Sequence, residues 1–277
     1  MTPVRFAIAT REELWARGRL IEQRLSHGEA FEEERGITAS DARDDLLVAA
    51  CDAAMEDLRR CVVPDVRIRL VAESRLDGVT STIVASLGAH SVVTDPARIA
   101  ADLVLLRRAA LEPEAEAQPL PLVWKNGSAA VLLHEAIGHP AEQNVPPREW
   151  PAWLQVEHPL ALRRASFRDV PLLRMTTLVA RQQRAPFALP ERRIEVLLVD
   201  GGAYDPLTDM VTVRIGAADL IEGGEVRGVA PFTFARPRTA ISLLGASGDP
   251  IRYPGVICSR EGQELVVGSH APLMVTA

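Results

Sequence analysis

Residues 131 to 139 read Val131-Leu132-Leu133-His134-Glu135-Ala136-Ile137-Gly138-His139, and the spacing of the two histidines governs how the rest of the chain is read. In the common zinc-protease motif the histidines sit four apart, which places them about 40° apart on one helix face. Here the offset is five, and about 140° separates the rings on a regular α-helix. Both imidazoles reach one ion only where the backbone leaves α geometry between them, through a wide π-type turn or a helix end. Gly138 accepts unusual dihedrals, while Pro140 removes an N–H and disfavours the α region for His139. A lone histidine on an apolar helix is most often a hydrogen-bonded core residue. A His-Glu-x-x-x-His run is much rarer by chance and raises the hypothesis of a metal site. Catalytic zinc usually takes three protein ligands and leaves the fourth position to water, so a third ligand has to come from elsewhere in the chain.

Composition sets the frame. At 277 residues the chain is long enough for one large domain or two modest ones. Apolar residues at 47% and charged residues at 25% are ordinary for a globular protein. A net charge of −6, with no basic patch interleaved with aromatics, argues against nucleic acid as a partner. Met1 to Leu25 carries charges throughout and no long apolar run, so neither a signal peptide nor a membrane span is expected there, and a cytoplasmic location is the default. The three cysteines, Cys51, Cys61 and Cys258, are too few and too scattered for a disulfide framework.

The first hundred residues read as helix-rich. Glu12 to Leu25 has an amphipathic pattern, and Ser40 is placed to cap a helix running to about Cys61, with Cys51 and Cys61 in its core. Val66 to Ala72 and Thr80 to Ala85 suggest two strands that pair, and Pro96 to Leu111 returns to a helical pattern. Glu112 to Pro121, rich in Pro, Glu, Ala and Gln, is the linker candidate. It sets an expected boundary between an N-terminal domain over 1–112 and a C-terminal domain over 113–277. Beyond it, the turn Lys125-Asn126-Gly127-Ser128 leads into the helix Ala129 to His139, with Asn126 or Ser128 as its cap. Residues 140 to 161, with five prolines plus Trp150 and Trp153, suggest an irregular lid or partner-contact segment. Strands are expected over 174–180, 194–199 and 210–215, then a hairpin through Glu222-Gly223-Gly224-Glu225, then strands to the end. The fold class these patterns give is α+β: an antiparallel, sheet-rich C-terminal domain carrying the metal-binding helix, with a smaller α/β N-terminal domain.

Cys258 is the one cysteine of the strand-rich half, between a Pro254-Gly255 turn and a Glu261-Gly262 turn. Taken alone it reads as a small buried hydrophobe. The segment Gly255-Val256-Ile257-Cys258-Ser259-Arg260-Glu261-Gly262-Gln263, followed by Val266-Val267-Gly268, resembles the closing segment of the TldD/PmbA family of metallopeptidases. Ala130 to His139, with Glu142 three places on, is similar to that family's metal helix. Arg163-Arg164-Ala165-Ser166-Phe167-Arg168, then Pro171 and Leu173-Arg174-Met175-Thr176-Thr177, resembles its arginine-rich stretch ending in Arg-Met-Thr. Gly201-Gly202, Asp205-Pro206 and Leu220-Ile221-Glu222-Gly223-Gly224 match its strand-and-hairpin sequence. The resemblance spans about residues 121 to 277, to a metal-binding member that is shortened in its N-terminal region and between Glu142 and Arg163. Thr177 stands where the family usually has asparagine.

That resemblance implies Zn²⁺ held by His134, His139 and Cys258, with Glu135 as the catalytic acid/base acting on water. Glu142 would orient a ligand or be a solvated residue, and Glu135 itself could instead be such an orienting carboxylate. Arg174 and Thr176 are the candidates for substrate contact, ahead of Arg163, Arg164 and Arg168, which also fit as surface charges. The implied activity is a zinc peptidase cleaving short or unfolded peptides. A dedicated hydrolase maturing a peptide natural product, or a subunit serving mainly assembly, are the alternatives. The implied partners are a peptide and a second subunit, either a copy of this chain or a related protein.

Overall fold

The computed structural model describes residues 4–16, 19–33, 67–75, 78–94, 98–165, 172–175, 177–182, 188–260 and 263–277. The helix expected from Ser40 to Cys61, with Cys51 and Cys61, lies outside them, as do Arg168 and Thr176. The chain divides into two compact units. The first comprises Met1–Leu103, Leu160–Arg174 and Ser259–Glu264, and the second Val104–Pro159, Met175–Cys258 and Leu265–Ala277. Composition sets a boundary at 112/113, whereas the units part within a helix, and two later segments belong with the first.

In the first unit, β1 (Val4–Ala16), β2 (Arg19–Glu33), β3 (Arg67–Arg75), β4 (Gly78–Leu87) and β5 (His90–Thr94) join β8 (Leu160–Ala165) and β9 (Leu172–Met175). They form a seven-stranded sheet in the order β5-β4-β3-β1-β2-β8-β9. The helical reading of Glu12 to Leu25 is corrected here: these residues form the β1–β2 hairpin, with Glu12 opposite Arg24 and Leu14 opposite Glu22. The reason is tertiary. β1 also pairs with β3 on its other edge, from Ile8 against Glu73 to Leu14 against Arg67, so its backbone groups are satisfied on both sides and a weak helical periodicity is overridden. The two strands expected near 66–72 and 80–85 are β3 and β4, paired antiparallel from Arg67 against Ser86 to Arg75 against Gly78. Helix α1 (Ile99–Leu111) follows. Near its start Asp102 is buried and accepts from the Thr94 hydroxyl at 2.6 Å.

The second unit is built on β6 (Leu122–Trp124), β7 (Leu154–Glu157), β10 (Thr177–Gln182), β11 (Arg193–Asp205), β12 (Met210–Glu222), β13 (Glu225–Val229), β14 (Phe232–Pro237), β15 (Leu243–Arg260) and β16 (Gln263–Thr276). The order is β13-β12-β11-β6-β16-β10-β7, with β14 paired to β12 and β15 to β16. The expectation of an antiparallel sheet is corrected. β6 runs parallel to β11, and β10 parallel to β16, so the sheet is mixed. Hairpins such as β12–β13 announce themselves locally: Glu222 faces Glu225 across Gly223 and Gly224, whose φ values of 58° and 84° suit glycine. Parallel neighbours are joined by long crossovers and leave no such local mark.

The short strand β6 sits at the centre of the core. Trp124 is fully buried, packs edge-on against Phe234 at 5.8 Å and donates its indole N–H to the Thr276 hydroxyl at 3.1 Å. From β6 the chain turns through Lys125–Ser128, with Asn126 and Gly127 at φ 55° and 79° and a Ser128 N–H to Lys125 carbonyl bond of 2.9 Å. A side chain on Gly127 would meet the Ile251 carbonyl oxygen at 2.7 Å, so the tightness of this turn needs glycine twice over. The turn launches α2 (Ala129–Leu133), whose five residues are all buried. A helix apolar on every side belongs inside a protein, and each of Val131, Leu132 and Leu133 contributes about 1.5–3 kcal/mol by its burial. Ser128 holds the N-cap position but makes no side-chain cap bond, and Asn126 serves the left-handed turn instead.

Candidate metal centre

After Leu133 the helix changes hand-hold. His134–Gly138 forms a π turn, closed by the His139 N–H to the His134 carbonyl, a bond spanning five residues, and α3 (His139–Glu142) then resumes α geometry. The wide turn is what a five-residue histidine spacing requires for both rings to face one point. The two imidazoles lie with centroids 4.7 Å apart and planes at 77°. The roles read into Gly138 and Pro140 are corrected by the dihedrals. Gly138 (φ −64°, ψ −59°) and His139 (φ −60°, ψ −42°) are both in the ordinary α region. Gly138 is needed for space: a Cβ there would come 2.0 Å from Met175 Cε and 2.9 Å from its Sδ. Pro140 sits at the start of α3, where a missing N–H is tolerated.

Cys258, near the end of β15, completes the cluster. Ring nitrogens of His134 and His139 and the Cys258 sulfur all lie within 4.8 Å of one another, with His134 and Cys258 buried and His139 partly so. The Cys258 Sγ to His139 Nε2 distance is 3.5 Å. Two donors sharing a tetrahedral zinc, with Zn–S about 2.3 Å and Zn–N about 2.05 Å, stand about 3.6 Å apart. Cys258 and His139 stand at that separation, all three donors lie within 4.8 Å, and two imidazoles with a thiol are a donor set soft enough for zinc.

Two carboxylates flank the donors and take different places. Glu142, buried, accepts from the Met175 backbone N–H through Oε1 at 2.6 Å and faces His139 Nδ1 through Oε2 at 3.1 Å. It thereby fixes the ring so that Nε2 points toward Cys258, the relation a carboxylate has to a metal-ligating imidazole. Glu135, 2% exposed, brings its Oε2 to 3.4 Å from His139 Nε2 on the side of the donor atoms. Burial raises its pKa to about 7, with the nearby His139 opposing and Glu142 adding to the rise. Burial alone would lower that of His139, but hydrogen bonds to Cys258 and Glu142 and the charges of Glu135 and Cys258 outweigh it and raise it to about 10.

A contributor that the sequence reading did not single out is Gly202, on β11. A Cβ there would stand 2.7 Å from Glu135 Cγ, 2.8 Å from Oε1 and 3.0 Å from Cδ. The glutamate chain occupies the space a larger residue would fill. The available signal was a Gly-Gly pair inside a strand pattern, which marks close approach. Met175 is the second such residue, filling the room left by Gly138 and holding Glu142 by its backbone. Arg174 is fully buried on β9 in the first unit, and Arg163 and Arg164 lie on β8 of that unit, opposite Glu32 and Phe31.

No family model matches the sequence, and no curated protein does. Among solved structures the chain is similar to TldE from Thermococcus kodakarensis, at 11% identity and a TM-score of 0.43 over 100% of this chain and 97% of that one. It is also similar to a putative modulator of a DNA gyrase from Thermotoga maritima, at 10% identity and a TM-score of 0.46 over 99% of this chain and 95% of that one. The functional reading therefore stands on the residues gathered at the centre and not on these overlaps.

Proposed function

We propose that this chain is a zinc-dependent peptidase of the TldD/PmbA type, acting on short or unfolded peptides. The observation that carries the reading is His139, whose two nitrogens are divided between Cys258 and Glu142 while the buried carboxylate of Glu135 stands beside the donors. His134, His139 and Cys258 would hold the ion. Bound there, zinc supplies Lewis-acid polarisation of a peptide carbonyl and a lowered pKa for water. Glu135 takes a proton from the attacking water at its carboxylate and returns it to the leaving amine. Its rise toward neutral pH, caused by burial, suits an exchange in both directions. Glu142 keeps Nε2 of His139 turned toward Cys258, where the ion would be held, and Gly202 leaves room for the Glu135 chain.

Dimerisation with a copy or a related chain belongs to the same proposal and is read by light scattering on the purified protein. Among the described residues no helix is long and apolar enough to cross a membrane. Metal analysis tests the centre. About one zinc per chain is expected, retained in Glu135→Gln and lost in Cys258→Ala. A chain that takes up no zinc rules the proposal out. Hydrolysis of a mixed peptide library should fall about 10²- to 10⁴-fold in Glu135→Gln.

A further inference from the structure

Residues between 136 and 144 also line a concavity of about 500 Å³ in the second unit, within the range of small-ligand sites. Its wall is formed by Ile137, Pro140, Val145, Trp150, Leu154 and Val156, and none of its lining residues is acidic. It does carry cations. Arg238 is paired with Asp209 at 2.7 Å, and the Asp209 charge also reaches Arg148, so two guanidiniums share one carboxylate and the group keeps one net positive charge. The Arg148 guanidinium donates to the carbonyl oxygens of Arg238 and Ile241, the latter at 2.8 Å, and lies 4.5 Å from the Trp150 ring centroid. No carboxylate lies within ion-pair distance of it among the described residues. A guanidinium fixed by two carbonyls and an aromatic face keeps further N–H donors for a ligand, within a group that carries net positive charge. Asn144 and His158 also line the cleft, and the His158 Nδ1 is buried with no hydrogen-bond partner among the described residues.

We propose that this cleft binds the C-terminal end of a short apolar peptide, its carboxylate on Arg148 and its last side chains against Trp150, Leu154 and Val156. Charge complementarity calls for an anion on an apolar body, and a guanidinium donates two parallel N–H bonds to a carboxylate. A peptide answers the remaining polar groups as well, since its amides can bond His158 and Asn144. A fatty acyl chain would leave them unsatisfied. The site is separate from the proposed metal chemistry: it uses helix positions 137, 140 and 144, whereas the metal donors and their carboxylates use 134, 135, 139 and 142.

Calorimetry of the full chain with N-acetyl-leucyl-leucine, its C-terminal amide and decanoate tests the assignment. The free acid should bind saturably with Kd below about 1 mM, and the amide at least about tenfold more weakly. Arg148→Met, which keeps the aliphatic stem over Trp150, should weaken the acid by the same factor. Ala141→Phe, which fills the cleft, should abolish binding, while a chelator and Glu135→Gln should leave it unchanged. Equal binding of acid and amide, no binding of the acid, or decanoate binding as tightly as the peptide overturns the proposal. Loss of binding with the chelator also overturns it, because the carboxylate would then be on the metal. If Arg148→Met does not fold, the acid and amide on the unaltered chain decide the question.

Discussion

Replacing Gly202 by alanine adds one methyl group directly against Glu135. The three atoms it would meet, at 2.7, 2.8 and 3.0 Å, all belong to that glutamate. Gly202 is not among the glycines at positive φ, so alanine is acceptable to the backbone and the effect is steric. An ordinary contact begins at about 3.4 Å, so Glu135 Cγ has to retreat by about 0.7 Å from its 2.7 Å position. At 2% exposure it has no solvent to retreat into. Overpacking of this kind costs about 1–3 kcal/mol, or about 2–5 °C in Tm at this chain's size. A displacement approaching 1 Å at a reacting group costs about a hundredfold in rate. In the proposed peptidase, kcat therefore falls about a hundredfold in Gly202→Ala, with KM little changed and zinc content still about one per chain. Gly268→Ala is the control, since a Cβ there has only Thr177 nearby, at 3.8 Å. A Gly202→Ala protein with kcat within twofold of the parent refutes the positioning of Glu135 by this strand. One that loses zinc places the damage at the ligands instead.

Two further substitutions probe the supports around the centre, and a third lies away from it. Gly138→Ala drives a methyl into Met175 and should destabilise by about 1–3 kcal/mol; Gly138→Ala/Met175→Ala should melt higher than the sum of the single effects requires, and strict additivity in a denaturant cycle counts against the contact. Glu142→Gln replaces the carboxylate that faces His139 Nδ1, so zinc affinity measured by competition with a chelator should fall about 10- to 100-fold, and an unchanged affinity would reduce Glu142 to a support for the Met175 amide. Glu195 tests electrostatics away from the centre. Burial acts to raise its pKa, but Lys125 at 2.8 Å and Arg193 at 2.8 Å outweigh this and hold it below the ordinary value. A carboxyl depressed in the folded state stabilises above its unfolded pKa of about 4.3, and that stability is lost as pH falls through the lower folded value. Thermal melts of the parent should thus fall more steeply than those of Glu195→Gln below about pH 4.3, and parallel curves would dismiss the pairing.

How much of this was legible in the sequence follows from the range over which each feature is encoded. A departure from α geometry was legible, because a five-residue spacing brings both rings to one point only through a wide turn or a helix end, and residues 134 to 140 alone say so; the structure takes the wide turn. Its causes were misread. Gly138 and Pro140 suggest backbone freedom when seen alone, yet Gly138 keeps α-region dihedrals and Pro140 opens the following α turn, and the glycine is explained by Met175, which stands 37 residues away in the chain. The β12–β13 hairpin was legible because Gly223-Gly224 fixes it locally. The pairing of β6 with β11 was not, because nothing in Leu122–Trp124 says which strand will lie beside it. Glu12 to Leu25 failed for the same reason: its faint helical pattern gave way to β3, a partner it meets only in the fold. The centre itself combines both kinds of information. Its histidines are local, its cysteine entered through a resemblance, and Gly202, which decides where the Glu135 carboxylate can stand, is visible only as missing volume. A search of the sequence for chemical groups cannot find a residue whose contribution is the absence of one. In this protein the placement of the Glu135 carboxylate depends on that absence as directly as on the helix that bears it.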